Sequence, residues 1–125
     1  MRILAVSGSL REGSYNTSLL RAAIEAAPDG VALELWDGIG ELPLYDESLE
    51  ADAPDSVLRL REDWADADAI LFATPEYNGS VPGGLKNAVD WASRPRGAAA
   101  LANKTVAVVG ASTGQFGALW AQLDL

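Results

Sequence analysis

The sequence predicts an α/β fold: one doubly wound parallel sheet with helices on both faces. Two observations predict it. Short apolar runs alternate with segments of helical period along the whole chain, in the order β-α-β-α-β-α-β-α. That order is the signature of right-handed crossovers in a parallel sheet. Three of the apolar runs also lead straight into polar, glycine-bearing loops. In such a sheet the loops that follow the strands gather at one edge, where ligands bind.

Arg2–Val6 is short and apolar after its first residue, as a strand covered on both faces is. Ser7–Ser18, SGSLREGSYNTS, comes next as a polar turn. It holds two glycines, hydroxyls at Ser7, Ser9, Ser14 and Tyr15, one guanidinium at Arg11 and one carboxylate at Glu12. Leu19, Leu20, Ala23, Ile24 and Ala27 then recur at helical spacing, and Pro28-Asp29-Gly30 stops that helix. Val31–Trp36 alternates Val31, Leu33 and Leu35 against Ala32 and Glu34, the pattern of an edge or half-exposed strand.

Asp37 to Ala53 reads as a loop. Its carboxylates Glu41, Asp46, Glu47, Glu50 and Asp52 lack the spacing of an EF-hand and read as a solvated face, so no metal site is expected. Leu42, Leu44 and Tyr45 give the loop something to bury. Pro54 suits the first position of a helix, with Asp55 favouring the dipole and Val57, Leu60, Trp64 and Ala67 forming one stripe. Ala69–Ala73 is the third strand, ended by Pro75. Pro75–Gly84 is a second loop before a helix from Leu85 to Trp91. Lys104–Gly110 is the fourth strand, Ala111–Gly117 the third polar loop. A last helix starts near Phe116, with Leu119, Trp120 and Leu123 periodic.

A length of 125 residues makes residues 1–125 a single domain. Nine Lys and Arg stand against eighteen Asp and Glu, a formal net charge of -9. That balance disfavours nucleic acid and anionic membrane as partners, since both require a basic surface. No run approaches the ~18 apolar residues of a membrane span, and no signal peptide opens the chain, so the expected location is the cytoplasm. There is no Cys and no His. This excludes thiol nucleophiles, disulfides, imidazole bases, a Ser-His-Asp triad and Cys/His zinc sites. The chemistry is expected to come from a cofactor.

The first loop precedes a helix, and a helix N-terminus offers unpaired N–H groups and the positive end of a dipole to an anion. Ser, Asn and Arg add phosphate donors. The loop is neither a Walker A sequence nor a G-x-G-x-x-G fingerprint. The same composition also serves as a plain N-cap and connection. In the second loop Pro75 and Pro82 add stiffness, Gly79, Gly83 and Gly84 let backbone approach a flat ligand, and Tyr77 offers a ring or a hydroxyl. A proline-bounded turn with Glu76 and Asn78 in solvent is the alternative there. Together the two loops suit a mononucleotide with a planar head. FMN fits, with its phosphate on the first loop and its ring on the second, and a flavin explains the lack of His and Cys.

The chain resembles the NADPH-dependent FMN reductase family, flavodoxin-like proteins that include quinone, azo and chromate reductases. The stretches that carry the resemblance are GSLREGSYNTSLL (Gly8–Leu20), LPLYDESLE (Leu42–Glu50), TPEYNGSVPGGLKNAVDWASRP (Thr74–Pro95) and GASTGQFGALWAQ (Gly110–Gln122). The resemblance implies that Ser9, Arg11, Ser14, Asn16 and Ser18 surround the FMN phosphate and ribityl chain. It implies that Pro75, Glu76, Tyr77 and Asn78 line the isoalloxazine, and that Ser112 and Gly114 close the far side. Lys86, Asn87, Asp90 and Trp91 are similar to a helix that packs at a dimer interface in the family. The implied partners are NADPH or NADH as co-substrate, a small-molecule electron acceptor and a second copy of the chain, in a homodimer or tetramer. The implied reaction is ping-pong hydride transfer. No protein group is a certain proton donor; Tyr77 and Glu76 are the candidates.

Members of that family continue for a further strand and helix. The implied sheet order here is 2-1-3-4 with the fifth strand missing, which leaves Thr105–Val109 as an apolar edge and suggests a fragment. Two other readings stand beside it: a non-catalytic flavodoxin-type FMN electron carrier, which the acidity suits, and an inactive fragment that neither folds nor binds. A phospho-acceptor receiver domain needs acids where Ser7-Gly8 and Thr74-Pro75 stand.

Overall fold

The computed structural model describes residues 1–125. Four strands, β1 (Arg2–Ser7), β2 (Ala32–Trp36), β3 (Ala69–Ala73) and β4 (Thr105–Val109), form one sheet in the order β2-β1-β3-β4. Every neighbouring pair is parallel. The helices are α1 (Tyr15–Glu25), α2 (Asp55–Asp66), α3 (Gly83–Ala92) and α4 (Leu119–Asp124). This is the doubly wound, flavodoxin-like arrangement, with β2 and β4 on the edges.

Register sets the position of the site. Ser7 pairs with Ala73 and Ala73 with Val109, while Val6 pairs with Trp36. The four strands therefore end level, and all the loops leaving them start at one edge. The ladder runs slightly past the strand ends: Gly8 N–H donates to Ala73 O at 2.8 Å, and Thr74 N–H to Val109 O at 2.9 Å.

The two faces are covered unequally. On one face Leu4, Val6, Ile70 and Phe72 pack under α2 and α3, in a core with Trp36, Val57, Leu60, Trp64, Leu85 and Trp91. Trp64 stands edge-on to both Trp36 and Phe72, at centroid distances of 5.6 and 5.5 Å. On the other face only α1 covers the sheet, burying Leu20 against Ala5 and Ala73. Ile3, Leu33, Leu71 and Ala107 beyond α1 line an open apolar groove. The alternation of β1, with Leu4 and Val6 on one face and Ala5 on the other, is the two-residue period of a strand.

Several boundaries differ from the sequence expectation. The first helix begins at Tyr15, not Leu19, because Ser14 takes the N-cap conformation (φ -61, ψ 132) and its hydroxyl accepts from Thr17 N–H. It ends at Glu25, so Ala27 lies beyond it. Pro54 is the residue before α2 and not its first helical position. Pro82 stands likewise before α3, which places Gly83 and Gly84 in the first turn of that helix and not in the loop. The last helix starts at Leu119, three residues after Phe116; Ala118 before it has φ 61. The acidic loop contains two single-turn 3-10 helices, Gly38–Glu41 and Glu47–Leu49.

The acidic loop is strapped onto α3. Asn87 lies mostly buried, donating from Nδ2 to Pro43 O at 2.8 Å and accepting at Oδ1 from Tyr45 N–H at 2.8 Å. Trp91 Nε1–H donates to the same Pro43 carbonyl at 2.9 Å, and its ring meets Tyr45 edge-on at 5.0 Å. These two side chains face inward within the chain, so of the four residues expected at a dimer interface only Lys86 and Asp90 are paired with each other near the surface. The Tyr45 hydroxyl donates to the Glu50 carboxylate, and Arg94 Nε donates to both.

Candidate functional site

A cleft opens at the level edge of the sheet, between the loops that leave β1, β3 and β4. Ser9, Arg11, Ser14 and Asn16 line it from the first loop, Pro75, Glu76 and Tyr77 from the second, and Ser112 from the third. Eight of the eleven residues named from the sequence therefore share one cavity, of about 210 Å³. Ser18 faces a neighbouring polar hollow with Arg11 and Arg21. Asn78 and Gly114 lie outside the cleft lining.

The first loop crosses close to the second. A Cβ on Gly8 would sit 3.0 Å from Leu85 Cδ2 and 3.3 Å from Pro75 Cδ. Any larger residue there would have to push the Leu85 side chain or Pro75 aside. Ser7 Oγ lies 2.8 Å from Thr17 Oγ1, which ties the end of β1 to the first turn of α1. The loop thus wraps the N-terminus of α1, where the helix dipole favours an anion.

The donors there divide into used and free. Ser14 is buried as the N-cap, and Ser18 Oγ donates to Ser14 O at 3.1 Å inside the helix. The N–H groups of Tyr15 and Asn16 have no acceptor within the protein, as expected for the first helical positions. Arg11 has no carboxylate partner: Nη1 donates to Glu12 O at 3.2 Å, and the guanidinium lies 5.5 Å from the centre of the Tyr15 ring. An unpaired guanidinium beside two free helix N–H groups is a donor set that suits a phosphate monoester.

Asn16 is committed elsewhere. Its Nδ2 donates to Ala111 O at 3.1 Å, and its Oδ1 accepts from Ala111 N–H at 2.9 Å. The Glu76 carboxylate accepts from Trp120 N–H at 2.9 Å and Ala121 N–H at 3.4 Å, at the start of α4. Asn78 and Gly79, with φ of 54 and 75, form the tip of a tight turn whose flanks Tyr77 and Ser80 exchange both backbone hydrogen bonds. Two positive φ values in a two-residue hairpin define a type I′ turn, and Asn-Gly is its preferred sequence. That dipeptide signal stands in the sequence and explains why Asn78 sits at a tip. Pro75, Glu76 and half-exposed Tyr77 form the wall leading up to it.

Tyr15, Ala111 and Thr113 also line the cleft. Tyr15 and Thr113 neighbour the named Ser14 and Ser112 in sequence. Ala111 carries no chemical signal and enters through its backbone alone.

The model of the NADPH-dependent FMN reductase family matches residues 1–125. The chain belongs to that family. An NAD(P)H-dependent FMN reductase of Pseudomonas aeruginosa is 50% identical over 126 residues, covering 100% of this chain and 67% of that protein. A quinone reductase of Pseudomonas putida is 50% identical over 116 residues, covering 92% of this chain and 62% of the relative. A 2-hydroxy-1,4-benzoquinone reductase from a Burkholderia species is 43% identical, with 100% and 68% covered. Among solved structures, the flavoenzyme NAD(P)H:acceptor oxidoreductase of Paracoccus denitrificans superposes with a TM-score of 0.91 at 44% identity, over 98% of this chain and 66% of that one. An azoreductase at 16% identity and TM-score 0.67 shares the fold. This reductase-family chain thus spans about two-thirds of the length of these relatives. No helix in it is long and apolar enough to cross a membrane.

Proposed function

We propose that this chain binds FMN in the cleft between the three loops and serves as an NAD(P)H-dependent reductase of quinone-type acceptors. The observation that carries the reading is the donor set at the N-terminus of α1. Arg11 lacks a carboxylate partner, and the Tyr15 and Asn16 N–H groups are free, next to a wall formed by Pro75 and Tyr77. Arg11, Ser9 and these N–H groups would hold the phosphate, and the Pro75–Tyr77 wall would lie along the ring.

Flavin held there would supply the two-electron chemistry of a ping-pong reaction between NADPH or NADH and the acceptor. The protein's part is position. The helix N-terminus and Arg11 balance the phosphate charge in a chain of net charge -9. The prolines at 75 and 82 bracket the segment that orients the ring. Glu76 is already an acceptor for two N–H groups of α4, so of the two proton-donor candidates Tyr77 is the freer. Quinone, azo, flavin and metal-oxyanion acceptors all fit this chemistry, and the expected working form is a cytoplasmic homodimer or tetramer.

The test begins with an FMN fluorescence titration of the purified chain. Anaerobic NADPH or NADH is then added to the flavin-loaded protein, and a benzoquinone after it. Saturable quenching, direct bleaching by the nicotinamide and quinone-dependent turnover are expected. Folded protein that binds no FMN ends the proposal. Bound flavin that no nicotinamide bleaches turns the assignment to an electron carrier.

A further inference from the structure

Asn16 is 3% exposed, and both polar atoms of its side chain are engaged by the backbone of Ala111, ninety-five residues away. The two bonds reach across the end of β3, from the first turn of α1 to the exit of β4. On the other side of the same exit, a Cβ on Gly110 would lie 2.9 Å from Thr74 O and 2.8 Å from Ala118 Cβ. The chain at 110–111 is therefore held twice, by close packing on Thr74 and Ala118 and by the amide clamp from α1. Ser112 and Thr113, the next two residues, form the third wall of the cleft.

We propose that Asn16 is a positioning residue for the flavin, not a side-chain ligand of its phosphate. Its amide fixes the Ala111–Thr113 wall against the first loop, and the flavin is gripped by the wall. An amide turned toward a phosphate would leave the Ala111 N–H and C=O without partners in a part-buried setting, which costs free energy. This inference rests on the proposed binding of FMN in the cleft.

The two roles separate by ligand. A side-chain contact to phosphate matters to FMN and not to riboflavin, which has no phosphate. A clamp on the wall matters to both. Wild type, Asn16→Ala and Asn16→Leu are titrated with FMN and with riboflavin, with circular dichroism as the check on folding. Both variants remove the donor and the acceptor toward Ala111 and bring no charge to the phosphate site, and leucine keeps close to the volume of the side chain. The expected result is a loss of affinity of about tenfold for both flavins in both variants, the scale of two lost hydrogen bonds. A shift in the absorbance bands of bound riboflavin is expected as well, since the wall beside it moves. A loss confined to FMN overturns the proposal, because Asn16 is then a phosphate ligand. Unchanged affinity for both flavins overturns it too. So does failure of both variants to fold, which makes the pair an element of stability alone. Absence of flavin binding by the wild type is a separate outcome: it removes the FMN reading and this inference with it.

Discussion

The Glu76 carboxylate caps the backbone of Trp120: Oε2 accepts the Trp120 N–H at 2.9 Å, forty-four residues along the chain. The second loop and the last helix are joined there, and Ser80 Oγ adds a bond to Asp124 Oδ2 at 2.8 Å. A carboxylate at the N-terminal end of a helix is stabilising through the dipole and the free N–H groups. Glu76→Gln retains an oxygen acceptor, so turnover is expected within about twofold of wild type with the same pH profile. A general acid at this position gives a loss of ~100-fold or more instead. Glu76→Ala is expected to weaken the attachment of α4 by about 0.5–2 kcal/mol. Faster proteolysis near Trp120 reads this out.

Arg11 stands without a carboxylate in a chain with twice as many acids as bases. Arg11→Ala is expected to weaken FMN binding by about 1.5–3 kcal/mol, the range for a charge-assisted hydrogen bond. Riboflavin affinity stays within a factor of about two in the same variant. Equal losses for the two flavins remove Arg11 from the phosphate site.

Asn87 satisfies both the Pro43 carbonyl and the Tyr45 N–H from a mostly buried position. Asn87→Ala is expected to lower stability by about 1–3 kcal/mol, the cost of leaving the Tyr45 N–H unpaired while Trp91 still serves the Pro43 carbonyl. Urea denaturation measures it. A midpoint equal to that of wild type shows that water replaces the amide without loss.

The strap carries a pH dependence at its other end. The hydrogen bond from Tyr45 to Glu50 raises the tyrosine pKa above its ordinary 10.0, only partly offset by Arg94. A raised value in the folded state favours the neutral phenol. Its contribution is therefore complete below the ordinary tyrosine range and is lost as pH climbs through the raised value. Tyrosinate absorbance should include a component that titrates above 10.0, and Tyr45→Phe should delete it. A titration curve whose high-pH part survives in Tyr45→Phe contradicts the geometry.

The outer edge of β4 has no neighbour, and Val106 on it is 49% exposed. Val106→Lys is expected to reduce concentration-dependent association in light scattering, since a lysine on an edge strand opposes edge pairing. Stability is expected to hold within about 0.5 kcal/mol. Association that is indifferent to the lysine assigns it to another surface.

The sequence by itself determined the order of elements, the parallel sheet and the identity of the three loops. Strand and helix periods are local properties, and Ala69–Ala73 and the stripe Val57, Leu60 and Trp64 need nothing distant to be read. Parallel topology then carries every loop after a strand to one edge, which is why eight named residues meet in one cleft. Tertiary structure decided which of those side chains are free. Ser9 and Arg11 remain available, while Asn16 is taken by Ala111 and Glu76 by α4. Asn87 and Trp91 turn inward onto Pro43. The reason is one of satisfaction: a buried amide or indole must find a partner, and a backbone group forty or ninety residues away leaves no periodic trace in the sequence.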